Sequence, residues 1–141
     1  MTWKLEPSMY ITAEAKARDA KLAAISARVA GLLAAGYPAG GGLHVALDDA
    51  SRADMGAMAT TAVAAAGGGV PWPESYQTGW IAIENVRIPL ATPADGLALA
   101  ASVGDYYAQI RQHGRTLKDA VLAAEDVAGI AAVDIETGWP A

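Results

Sequence analysis

Between Ile11 and Ala35 the side chains that would share one helix face recur at alternating steps of four and three: Ile11, Ala15, Arg18, Leu22, Ile25, Val29 and Leu32. This is the a/d spacing of a helix that lies lengthwise against another helix. Glu14, Lys16, Lys21 and Arg28 fall opposite the seam. Such a helix constrains everything after it, because something long and apolar must cover it. The cover is either a helix of the same chain or a neighbouring copy. Arg18 interrupts the seam and weakens the coiled-coil case. Gly36 is placed to end the helix and Pro38 prevents its continuation. Residues Met1–Met9 read as an irregular lead-in. Residues 1–35 are thus expected to serve as an oligomerisation or attachment element, and residues 36–141 as a small α+β domain.

The core must be made from modest material. Apolar residues are 53% of the 141, but many are Ala, and Phe is absent. Bulk comes from Leu, Ile and Val with four Trp and five Tyr. Ala and Gly let backbones approach closely but bury little area each. A core of this kind gains from partner chains.

After the first helix, Ala39-Gly40-Gly41-Gly42 reads as a flexible joint. Leu43–Leu47 alternates as a short strand. Ser51 with Asp54 resembles a capping box for a helix running to about Ala66, and Gly67-Gly68-Gly69 stops it. Pro71-Trp72-Pro73 is a rigid aromatic loop. Trp80–Ile83 and Val86–Leu90 flank Glu84-Asn85 as a β-hairpin. Asn tolerates positive φ and Glu does so poorly, which points to a longer or bulged turn. Thr92-Pro93-Ala94-Asp95 opens a helix expected to reach Gln112, with Leu99, Val103, Tyr106 and Ile110 on one stripe. His113-Gly114 should break it. Thr116-Leu117-Lys118-Asp119 should cap a last helix ending near Gly129, followed by an extended tail over Ile130–Ile135. The fold class expected is α+β, mainly helical with four helices and a small antiparallel hairpin or short sheet.

The chain ends Gly138-Trp139-Pro140-Ala141. A Trp carries a large apolar surface and an N–H that wants an acceptor. Trp139 is therefore expected to dock, on its own chain or on another subunit.

Chemistry is sparse. The formal net charge is −5 and the ten Lys and Arg are scattered along the sequence, which argues against nucleic acid and anionic membranes. Cys is absent, so disulfides and thiolate metal sites are excluded. The start lacks a basic region followed by an apolar run. The charge-free stretches 29–47 and 55–73 are broken by Gly clusters, so no membrane span is expected. His44 and His113 have no sequence-local partner, and structural roles suit both. Asp48, Asp49 and Asp54 form the densest acid cluster, but their spacing matches no calcium loop. There is no Gly-x-Ser-x-Gly elbow, and neither Gly-rich segment has the context of a phosphate loop. No catalytic residue, metal or cofactor is expected, and the chain reads as non-enzymatic.

The order of elements is more distinctive than any motif. A charged amphipathic helix is followed by a Gly-marked strand and by Asp48-Asp49-Ala50-Ser51-Arg52 opening a helix. A Trp-led hairpin, Trp80–Leu90, leads to a Thr-capped helix. Thr116–Ala124 then precedes Val133-Asp134-Ile135, two further residues, and Gly138-Trp139-Pro140. Over about Thr12–Pro140 this resembles a family of tailed-phage genes, the domain of unknown function 4376, associated with tail fibres and tail-fibre assembly proteins. The Glu84-Asn85 turn departs from the Asp-Gly or Asn-Gly more typical there.

The resemblance implies a virion structural component of the phage tail, assembled in the bacterial cytoplasm and attached to a fibre or baseplate in host attachment. Its partners would be other tail or fibre proteins and further copies of itself, with a trimer favoured. The residues expected to meet a partner or another copy are Ile11, Leu22, Ile25, Val29, Leu32, Trp72, Trp80 and Trp139. One alternative is an assembly chaperone not retained in the virion. Another is a small carbohydrate-binding module using Trp72, Tyr76 and Trp80, although Pro-Trp-Pro loops more often plug a core or interface.

Overall fold

The computed structural model describes residues 11–141; the lead-in expected over Met1–Met9 lies outside them. Helix α1 (Ala13–Ala35) starts at Thr12, whose hydroxyl accepts the Ala15 N–H at 3.0 Å. It ends at Gly36, where φ is +85° and a Cβ would fall 2.7 Å from the Val45 carbonyl oxygen. Strands β1 (Tyr37–Gly40) and β2 (Leu43–Val45) then pair antiparallel, with Tyr37 opposite Val45. The glycine stretch expected as a flexible joint is the turn of this hairpin. Gly40, Gly41 and Gly42 all have positive φ, which L side chains adopt only under strain.

Helix α2 (Asp49–Ala66) is capped by Asp48, one turn earlier than the Ser51–Asp54 box expected. The Asp48 carboxylate accepts the Ser51 N–H at 3.2 Å. Hydrogen bonding from the Ser51 hydroxyl, then from its backbone, holds the Asp48 carboxyl below its ordinary pKa. A single-turn helix, α3 (Glu74–Gln77), follows the Pro-Trp-Pro loop.

Strands β3 (Trp80–Ile81) and β4 (Arg87–Ile88) form a second antiparallel pair, with Trp80 opposite Ile88. The turn between them is the longer one that Glu84 required. The Asn85 N–H donates to the Ala82 carbonyl and the Ala82 N–H to the Val86 carbonyl, both at 2.9 Å. Asn85 alone takes positive φ, at 61°.

Helix α4 (Pro93–Ala123) is capped by the reciprocal Thr92–Asp95 box and runs without interruption through His113-Gly114. The two helices expected there are one. Gly114 is buried at the crossing with α1, where a Cβ would lie 2.8 Å from a Val29 methyl. Glycine costs about 1 kcal/mol of helix propensity, but here it permits close approach of α1. Helix α5 (Val127–Ala131), capped by Asp126, replaces the first part of the extended tail. The molecule is therefore α+β and mainly helical, with two small antiparallel strand pairs and five helices among the described residues.

α4 is the central post. α1 and α2 both pack along it, and α5 closes against α1 and the end of α4. One buried cluster joins Val45, Leu47, Met58, Val103, Tyr106 and Ile110; another joins Ile25, Leu117, Val121 and Ile130. Tyr37 meets Tyr106 edge-on, with ring centroids 5.4 Å apart. Arg18, the odd member of the α1 seam, donates to the Ala124 carbonyl at 2.8 Å and pairs with Glu14 at 2.8 Å. The last turn of α4 carries no basic residue. A cation from α1 thus serves its orphan carbonyls.

Candidate functional site

Four features could carry interactions: the folded C-terminus, the second hairpin, and two grooves.

At the C-terminus, Asp134 turns the chain. Its carboxylate accepts the Glu136 N–H at 2.9 Å and the Thr137 hydroxyl, which holds its pKa below the ordinary value, the Thr137 bond contributing most. Gly138 follows with φ +89°, and a Cβ there would sit 2.5 Å from the His113 ring. Trp139 then lies half-buried against both core clusters and donates its indole N–H to the Ile135 carbonyl at 2.9 Å. His113 faces the Thr137 carbonyl through Nε2 at 2.9 Å. A carbonyl only accepts, so Nε2 carries the proton. The expected docking of Trp139 is internal.

The second hairpin is clipped to the first. The His44 N–H donates to Glu84 Oε1 at 2.6 Å, and His44 Nδ1 lies 2.8 Å from Oε2. The His44 carbonyl accepts the Ile83 N–H at 2.8 Å. The His44 backbone bond, then its ring, draws the Glu84 carboxyl below its ordinary pKa. The sequence offered no partner for His44; the fold supplies one forty residues away. Beyond this clip the hairpin exposes Ile81, Ile83 and Val86, at 61%, 49% and 50%.

Of the aromatic residues, Trp72 is a plug. Its indole N–H donates to the Leu90 carbonyl at 2.9 Å, its ring stacks on Tyr76 with centroids 5.2 Å apart, and its edge abuts Gly96. Trp80 and Tyr76, by contrast, line an open groove of about 400 Å³ with Ser51, Asp54 and Ser75. Trp72 is not part of that lining.

In the α1 seam, Ile25 and Val29 are buried inside the chain, so the middle of the seam finds its partner helix in α4. Leu22 and Leu32 are half-buried beside them, and Ile11 is 79% exposed. Asp49 pairs with Arg52 at 2.6 Å, and Arg52 stands 4.0 Å over the Tyr107 ring. Among the described residues no three His, Asp or Glu side chains gather as metal ligands, and no helix is long and apolar enough to cross a membrane.

Three of the ten Lys and Arg residues share a face that no local sequence pattern announced. Arg111, Arg115 and Lys118 line one groove between α4 and α1. Their spacing would have placed them together on a continuous helix. The break expected at His113-Gly114 separated them.

A family model for the domain of unknown function (DUF4376) matches residues 16–137, from the first turns of α1 to the residue before Gly138. The chain belongs to this family. No curated protein and no solved structure matches it.

Proposed function

We propose that this chain is a non-enzymatic structural component of a tailed-phage particle, seated at the tail fibre or baseplate and taking part in host attachment. Support comes from the resemblance to tail-fibre-associated domains and, in the geometry, from the second hairpin. Ile81, Ile83 and Val86 present apolar side chains to solvent on a turn held rigid by the Glu84 clip. An apolar surface on a fixed projection suits attachment to another protein. The partners would be other tail or fibre proteins. Further copies of the chain, three in the favoured arrangement, would use exposed surfaces such as this one, since Ile25 and Val29 are occupied internally. Mass spectrometry of purified particles tests the proposal. Presence at a fixed ratio to the fibre protein supports it. Absence from particles, with recovery on fibre protein in lysates, would make the chain an assembly chaperone.

A carbohydrate-binding role is the second reading, and the Trp80–Tyr76 groove favours it. Aromatic faces beside Asp54 and two serine hydroxyls offer both stacking and hydrogen bonding to a sugar. Glycan-array binding that disappears in Asp54→Ala would support it, and a blank array would remove it.

A further inference from the structure

The basic residues of this acidic chain are not evenly spread once it folds. Arg111, Arg115 and Lys118 stand at steps of four and three on α4 and share one face. With Ser26, Val29 and Leu33 of α1 they line an open groove of about 310 Å³. Arg115 is paired with Asp119 at 2.8 Å. Arg111 and Lys118 have no ion-pair partner among the described residues. Lys118 is nevertheless half-buried. Like charges so spaced on a helix repel. The carbonyls at the end of α4 are served by Arg18 instead. Among the described residues no acid therefore pairs with Arg111 or Lys118, in a chain whose net charge is −5.

We propose that this groove docks an acidic helical segment of a partner protein. The partner's carboxylates would lie along the α4 wall, and its apolar side chains would cover Ala30 and Leu33. The three cations span about 10 Å of α4, at 1.5 Å per residue, which is two turns of a docked helix. Carboxylates two turns apart on that helix match Arg111 and Lys118, and one between them meets the Arg115–Asp119 pair from its Arg115 side. The apolar floor selects a helix over a free anion, which would engage the charged wall alone. The proposal deepens the reading of the chain as an attachment component, and rests on it for the kind of partner.

The test uses a labelled synthetic helical peptide with three Glu at steps of four and three and Leu on the adjacent stripe. It is titrated into the isotope-labelled full chain and followed by NMR. Saturable shifts should concentrate at Ser26, Leu33 and Arg111–Lys118. Affinity should fall at least tenfold in the Arg111→Ala/Lys118→Ala double variant, whose fold is checked by circular dichroism. It should fall likewise when the peptide's Glu are replaced by Gln, and with rising salt. Shifts elsewhere, or equal binding of the Gln peptide, would overturn the proposal. So would inorganic phosphate reproducing the shifts at equal affinity, or groove shifts that follow protein concentration without peptide, the mark of a second copy. Failure of peptide binding while the chain is found in particles removes the groove and leaves the tail role. Groove binding with absence from particles does the reverse.

Discussion

The indole of Trp139 stands edge-on to the imidazole of His113, with ring centroids 4.5 Å apart and planes at 86°. The contact brings the last residues of the chain to the middle of α4, next to the close crossing of Gly114 with Val29. His113 is therefore the platform on which the Gly138-Trp139-Pro140 ending rests.

Trp139→Ala should lower stability by about 2–3 kcal/mol, below the range for a fully buried Trp because this one is half-buried. Gly138→Ala should also destabilise, since its φ of +89° and the His113 ring both oppose a Cβ. Urea unfolding measures both. An unchanged midpoint for either variant would mean that the terminus contributes nothing to the fold.

Glycines inside helices offer a contrast of sign. Gly104→Ala in α4 has open space around it and should stabilise by about 0.5–1 kcal/mol through helix propensity. Gly114→Ala places a Cβ 2.8 Å from a branched Val29 side chain and should cost about 1 kcal/mol net. Thermal melts of the two variants should move in opposite directions. Movement of both upward would show that α1 does not press on α4 at Gly114.

Arg18→Ala should cost about 1 kcal/mol by leaving the Ala124 carbonyl without its cation and uncovering the adjoining apolar surface. Hydrogen exchange should rise most in the last turn of α4. Uniform loss of protection along the helix would argue for a general packing defect instead.

The clip between the hairpins should respond to acid. The Glu84 carboxyl is held below the ordinary value of 4.5 by the His44 backbone N–H and ring. A depressed carboxylate contributes its stability in full above its unfolded pKa and loses it as pH falls through the folded one. The clip should therefore hold at neutral pH and loosen only below 4.5. Exchange of the His44 amide followed between neutral and acid pH reads this directly. Glu84→Gln should flatten the response, and an opening already complete near neutrality would contradict it.

Helix and hairpin signals in this sequence were strong where the chemistry was local. The Thr92–Asp95 box and the Asn85 turn each act within four residues, and each forms as its residue types dictate. Gly114 misled because its local preference is to break a helix, whereas its tertiary use is to admit Val29. Gly40–Gly42 misled in the opposite sense, since positive φ built a defined turn from residues that suggest looseness. The His44–Glu84 clip and the Arg111–Lys118 face needed distant or merged elements, and no short window contains them. The candidate surfaces were accordingly less legible than the helices that carry them.

Mass spectrometry of purified tailed particles from cells carrying this gene is the most direct measurement. A structural role at the fibre or baseplate predicts peptides of this chain in intact particles, at a constant ratio to the fibre protein through successive purification steps. Infectious particles that lack the chain altogether would contradict that role.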